Sequence, residues 1–280
     1  MPDNLASWPL GFRQSAERSC TASSNSSIAA VVITLNEERN IADCLTSVAW
    51  ADEIVVVDAC STDRTVELAR RFTDRIFVRP WPGYGPQKNF AMDQATADWI
   101  LIVDSDERVS DELREEIQAL LQKPGPAIAY RIPRRNFYYG CWIRGAGQYP
   151  DRQLRLMRRG QGRYNDLPIH ENLQVKGLIG DLQGHLDHHS YPTVLAHELK
   201  VGWYSTLSAQ ERTNAGHVGV SPLNLLLNPL WTFTKIYVLR GGYRDGMHGF
   251  LFSAFSAAHV LLKYAKLWEL KQATPREVCR

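Results

Sequence analysis

The sequence predicts an α/β fold, a mainly parallel sheet wrapped by helices and followed by a helical extension. Two observations carry this expectation. Between residues 28 and 125, short β-branched apolar runs alternate with helix-patterned segments over short connections, the rhythm of a parallel sheet. The longest charge-free apolar stretches, 218–234 and 246–262, lie together near the C-terminus.

The elements are read in order. IAAVVITL (28–35) is a continuous apolar run of the kind buried on both faces of a sheet. Asn36 is placed to cap a helix over 37–49, whose first turn holds two glutamates where the helix dipole favours them. EIVVVDA (53–59) gives a second strand, Ser61 a cap for a helix through Phe72, and RIFVR (75–79) a third strand. After the WPGYGP loop come a helix from Gln87 to Thr96 and a fourth strand, DWILIVD (98–104). Ser110 opens the acidic-start helix DELREEIQALLQ, which Pro124 and Gly125 stop.

Composition narrows the function. At 44% hydrophobic and 22% charged, the 280 residues form an ordinary globular chain rather than a disordered one. A net charge of +2 argues against a nucleic-acid partner. Residues 131–163 nevertheless hold nine arginines against one acid, Asp151, which suits an anionic ligand, an acidic membrane surface or a solvated face. Five scattered cysteines without a CxxC spacing fit reduced thiols and a cytoplasmic location. Residues 1–27 lack the apolar core of a secretory signal and read as a mobile tail. The 17 residues of 246–262 sit at the lower limit of a bilayer span and include two histidines and two serines, so spanning is not favoured. Cations at Lys235, Arg240, Arg244, Lys263, Lys266 and Lys271, interleaved with aromatics, instead describe helices lying in an anionic membrane interface. Packing on the same domain, or a dimer seam, is the alternative.

Ligands of such sheets bind beyond the carboxyl ends of the strands, where strand order reverses. Those ends here carry Asn36 and Glu37, Asp58, and the DSD of ILIVDSDE (100–107), with Asp104 and Asp106. Neither GxGxxG after the first strand nor GxxxxGK[ST] is present, which disfavours a dinucleotide-binding dehydrogenase and a P-loop enzyme. An acidic crevice holds a diphosphate only through a divalent cation, and hard oxygen ligands suit Mg2+ or Mn2+. Glu107 is expected to face solvent.

VVITLNEERNIADCLTSVAWADEIVVVDACSTDRTVELA and RPWPGYGPQKNFAMDQATADWILIVDSDERVS resemble the nucleotide-binding half of family 2 glycosyltransferases, which have the GT-A fold. The resemblance runs on through YRIPRRNFYYGCWIRGAGQYPDRQLRLMRRG, PIHE (168–171) and LKYAKLWEL. Over that extent the chain is similar to bacterial lipopolysaccharide-core transferases that add a β-linked glucose to the inner-core heptose. One departure is Cys60, where a small residue such as glycine is expected.

The resemblance implies roles. Thr34, Asn36 and Glu37 would border the nucleotide of a UDP-sugar, Asp58 would accept a hydrogen bond from uracil or ribose, and Lys88 would meet the diphosphate. Asp104 would face the ribose or the metal, and Asp106 would bind the metal. On this reading residues 28–125 form the nucleotide-sugar half and 126–191 the acceptor half, while the cations and aromatics noted above, not the resemblance, make 192–280 a membrane-associating helical extension, expected to be peripheral on the cytoplasmic face of the membrane. Transfer would be a single displacement that inverts the anomeric centre, with a carboxylate taking the acceptor's proton. Asp151 is the first candidate for that base and Glu171 the second, while a salt bridge with Arg152 or Arg155 is a structural alternative for Asp151. His170 is a candidate metal ligand or diphosphate contact. In HLDHH (185–189), His185 and His189 have a metal spacing only on a helix, which Pro192 and the surrounding pattern disfavour. A transferase acting on polyprenyl phosphate or another envelope glycan, and a non-catalytic peripheral membrane protein with a degenerate nucleotide fold, are the competing readings.

Overall fold

The structure, a computed structural model, describes residues 26–165, 172–216 and 219–273. The first half keeps the expected order: β1 (Ile28–Thr34), α1 (Ile41–Ser47), β2 (Glu53–Asp58), α2 (Thr65–Ala69), β3 (Ile76–Val78), α3 (Tyr84–Gln94), β4 (Trp99–Asp104). Two residues after β4 the chain forms β5 (Glu107–Val109), then α4 (Asp111–Gln122). The second half adds β6 (Ala129–Tyr138), β7 (Cys141–Trp142), β8 (Asp151–Arg158), β9 (Gly162–Tyr164), β10 (Leu173–Val175), β11 (Ile179–Asp181) and β12 (Leu186–Tyr191).

Both halves share one sheet, ordered β3-β2-β1-β4-β8-β6-β12-β5. β1 lies parallel between β2 and β4, so strand order reverses at the β1/β4 seam. β5 follows β4 almost directly yet pairs antiparallel with β12 at the far edge, so the sheet must curl back on itself at the Asp104–Glu107 turn. Alternate residues of β1 feed two cores. Ile28, Ala30 and Val32 pack with Leu113, Ile117 and Leu121 of α4, whereas Ala29, Val31 and Ile33 pack with Ala91 and Met92 of α3. Burial on both faces is why these strands read as unbroken apolar runs.

Three expected caps meet different fates. Ser110 caps α4, accepting from Leu113 N at 3.2 Å. Asn36 does not cap α1; it takes a left-handed φ of 53°, and its Oδ1 accepts from Thr62 N at 2.8 Å. Ser61 turns back to Asp58, donating from its backbone N (2.8 Å) and its hydroxyl (2.5 Å), so α2 starts only at Thr65. Cys60 holds a left-handed φ of 61°, which is the conformation a glycine would adopt without strain. Cys60→Gly is therefore expected to raise stability by about 0.5–1 kcal/mol, read as the urea midpoint. Of the segment read as a mobile tail, Ser26 and Ser27 are described, and both are tied in: Ser26 N donates to Leu121 O and Ser27 N to Asp98 Oδ2.

The extension comprises α5 (Val194–Asn214), α6 (Pro222–Thr234) with a π-helical turn (Lys235–Leu239) and a 3-10 turn (Gly242–Asp245), and α7 (Gly246–Ala273). Thr193 caps α5, and Ser221 forms a capping box with Asn224 ahead of Pro222. None of the described helices is long and apolar enough to cross a membrane. His197 on α5 anchors the extension, stacked on Tyr191 (4.0 Å) and against Phe255 of α7 (4.4 Å). Burial, with Lys200 and His259 adding to it, pushes the His197 pKa down to about 4, so a neutral ring accepts from the Tyr139 hydroxyl at 2.5 Å.

Candidate active site

The carboxyl ends of β1, β2 and β4 lie side by side at the strand-order reversal. Thr34 pairs in register with Asp58, and Ile33 with Asp104. Asp58 is fully buried with Ser61 donating to both its oxygens, so it shapes the Asn36–Ser61 rim.

Asp104 and Asp106 occupy different environments. Arg155 donates to Asp104 Oδ2, and Lys88 Nζ lies 3.2 Å from Oδ1. Burial would raise the Asp104 pKa, but Arg155 and then Lys88 outweigh it and hold the carboxyl far below its usual range. Glu107, expected in solvent, is instead completely buried. Its Oε2 accepts from Asp104 N at 3.0 Å, and its Oε1 from Arg155 (3.1 Å) and Arg134 (3.2 Å). Arg134 continues to Asp151, bonding Oδ2 at 2.6 and 2.9 Å. Asp104, Glu107 and Asp151 are thus matched by Lys88, Arg134 and Arg155, three carboxylates to three cations.

Asp106 lies outside that balanced set. His188 Nε2 sits 3.4 Å from its Oδ2. The His188 tautomer follows from Asn136, whose Nδ2 donates to Gln148 O (3.2 Å) and Asp151 Oδ2 (3.3 Å). Its Oδ1 must then accept from His188 Nδ1, at 2.7 Å. With Nδ1 as the donor, Nε2 of a neutral ring is an acceptor, with the Ser190 hydroxyl at 3.3 Å and Asp106 Oδ2 at 3.4 Å; a proton or a cation at that nitrogen would turn its contact with Asp106 into an attraction. Burial raises the Asp106 pKa, yet the positive charge and hydrogen bond of a protonated His188 outweigh it and lower the pKa. Glu37 completes the edge; burial raises its pKa, Asn40 opposes that, and Asp106 adds to it. Lys200 of α5 enters beside them, donating to Ser190 O at 3.2 Å over the Tyr191 ring.

Among the described residues no cluster of three or more His, Cys, Asp or Glu side chains forms a metal cage. Asp106 and His188 offer one carboxylate oxygen and one imidazole nitrogen side by side, a pair that would fit a borderline ion such as Mn2+ better than Mg2+, whose ligands are oxygens. Asp151 lies at the start of β8, its Oδ1 accepting from Gln153 at 2.6 Å. Burial raises its pKa, but Arg134 chiefly reverses this and leaves it lowered. The ion pair of Asp151 is with Arg134, not Arg152 or Arg155. His170 and Glu171 lie outside the described residues. Four of the five residues of HLDHH, Leu186 to His189, fall on β12 and His185 just before it, and period-two alternation puts His188 and Ser190 on one face, that of Asp106. A strand reading of that segment would have found His188.

The arginine-rich segment is not a free basic face. Arg131 and Arg152 pair with Asp181, Arg135 with Asp187 and Arg163 with Asp93, besides the crevice pairs of Arg134 and Arg155. Arg144 remains exposed, 4.4 Å over the Trp142 ring.

Comparison with known proteins settles the family. Residues 29–173, just over half the chain, match the family described as glycosyl transferase family 2. The chain belongs to that family. This glycosyltransferase is 33% identical over 251 residues to the lipopolysaccharide core biosynthesis glycosyltransferase LpsC of Rhizobium meliloti, covering 86% of this chain and 92% of LpsC. It is 30% identical to an uncharacterized glycosyltransferase of Rickettsia typhi, over 87% of each chain. Among solved structures, S. aureus TarS 1–349 in complex with UDP-GlcNAc matches with a TM-score of 0.45 and 16% identity, over 86% of this chain and 92% of that one. The curled sheet and its helices are the GT-A arrangement the family resemblance implied.

Proposed function

We propose that this glycosyltransferase moves glucose from UDP-glucose onto a lipopolysaccharide inner-core acceptor by a metal-dependent, inverting single displacement at the cytoplasmic face of the membrane. The observation that carries the donor half is the place of Asp106 at the strand-order reversal, its Oδ2 3.4 Å from His188 Nε2, a contact that either a proton or a cation between the two would satisfy. The similarity to LpsC supports the acceptor class. In this reading residues 28–125 hold the donor, 126–191 the acceptor, and 192–280 meet the membrane.

Asp106 and His188 would hold the divalent cation, which when bound supplies Lewis-acid stabilisation to the departing diphosphate. Asp104, already neutralised by Arg155 and Lys88, is suited to accept a hydrogen bond from the ribose rather than to hold the ion. Lys88 at the edge of the same pair meets the diphosphate, and Thr34, Asn36 and Glu37 border the nucleotide. Asp151 takes the acceptor's proton at Oδ1, the oxygen that Arg134 leaves uncovered. Attack opposite the leaving diphosphate converts an α-linked donor into a β-linked product.

The depressed Asp151 pKa keeps the base ionised at neutral pH but limits its strength. Asp151→Asn is therefore expected to lower kcat about 100-fold, near the low end for loss of a general base, while UDP binding is kept. Radiolabelled UDP-glucose with defined inner-core acceptors and with polyprenyl phosphate measures this. Labelled polyprenyl phosphate with an unlabelled inner core would contradict the acceptor assignment, and an undiminished Asp151→Asn would move the base to another carboxylate.

A further inference from the structure

We propose that α6 and the two turns after it form the surface through which the protein docks on an anionic lipid bilayer, with the acceptor-side loop held directly beside it. This deepens the transferase reading by saying where a lipid-linked acceptor would arrive, although docking itself does not depend on that reading.

The helix α6 turns its most apolar face outward. Leu223, Leu226, Leu227, Leu230 and Trp231 are 55–69% exposed, whereas the half-buried side mixes Leu225, Pro229 and Phe233 with Asn228 and Thr232. None of its residues is fully buried. The exposed apolar stripe continues through Val238, Leu239, Tyr243 and Met247. A helix in water turns its polar side out, so a contiguous apolar stripe of this length on the outer face calls for an apolar cover.

Charge selects the medium. No Asp or Glu occurs between Glu211 and Asp245, while Lys235, Arg240 and Arg244 edge the stripe and are exposed. Asp245 faces inward, accepting from Arg144 N (3.0 Å) and Gly145 N (2.8 Å). A second copy on a two-fold axis would set the same cations against one another with no carboxylate to relieve them. Anionic headgroups supply the missing charge, and acyl chains the apolar cover.

The contact also reaches the site. A Cβ on Gly145 would lie 2.4 Å from Gly241 O, and one on Gly147 2.9 Å from Arg240 Cδ, so the loop before Asp151 rests closely on the docking turn. An acceptor anchored in the bilayer would thus emerge next to Arg144 and the base.

The test is co-sedimentation of the full chain with phosphatidylcholine vesicles with and without phosphatidylglycerol, alongside UDP binding and the sedimentation-velocity mass. The wild type should pellet with the anionic vesicles. Leu226→Ser/Leu230→Ser and Lys235→Glu/Arg244→Glu should each weaken that partition about tenfold or more while UDP binding is unchanged. A wild type that stays in the supernatant, variants that pellet like it, or a solution dimer that Leu226→Ser/Leu230→Ser dissociates would overturn the proposal. Vesicle binding without UDP binding would leave docking intact and remove the donor reading alone.

Discussion

Replacing Glu107 by alanine is expected to lower folding stability by about 3–5 kcal/mol. The side chain is completely buried and accepts from Asp104 N, Arg134 and Arg155. Truncation leaves two guanidinium groups in the interior with one carboxylate fewer, and an uncompensated buried charge is what makes breaking such a network costly. For a domain of this size the melting temperature should fall by about 10 °C. Glu107→Gln keeps the shape but loses the charge, and should fall between the wild type and alanine. Because Asp104 N loses its acceptor, UDP affinity should drop as well. A melting temperature within a degree of the wild type would mean that Glu107 is solvated, as its place after two aspartates first suggests.

Asp106→Asn is expected to behave in the opposite way, with transfer reduced about 10³-fold, equivalent to about 4 kcal/mol, and the fold unharmed. The amide is isosteric and can donate to His188 Nε2, satisfying the lone pair that faces Asp106 Oδ2 at 3.4 Å. What it cannot supply is an anionic oxygen for a divalent cation. Urea unfolding and turnover, measured on the same preparation, separate the two residues: Glu107→Ala should change the first and Asp106→Asn the second. Loss of stability in Asp106→Asn comparable to Glu107→Ala would place both in one structural network.

The sheet was readable because β1, β2 and β4 are buried on both faces, which writes them as unbroken apolar runs, and α4 because Ser110 caps it from within its own segment. The missed features depend on partners distant in the chain. Asn36 and Ser61 resemble helix caps, but Asn36 Oδ1 accepts from Thr62 N and Asn36 N donates to Ser61 Oγ, tying the β1 and β2 loops across separations of 26 and 25 residues. Glu107 finds Arg134 and Arg155 at separations of 27 and 48 residues, beyond any local pattern. The arginine-rich segment looked unbalanced because a count within 131–163 omits Asp93, Asp104, Glu107, Asp181 and Asp187, which pair with it from outside. Asp104 and Asp106 look alike in sequence and differ in charge environment, so only the fold distinguishes the neutralised carboxylate from the one that faces His188.

The central claim is that Asp106 and His188 hold a cation that brings a nucleoside diphosphate into the β1/β4 crevice. Calorimetric titration of UDP into the wild type and Asp106→Asn, each with Mn2+ and again after chelation, tests it most directly. Tight binding should require both Mn2+ and Asp106, so that chelated wild type and Mn2+-loaded Asp106→Asn look alike. UDP affinity that is the same in all four titrations would contradict the claim.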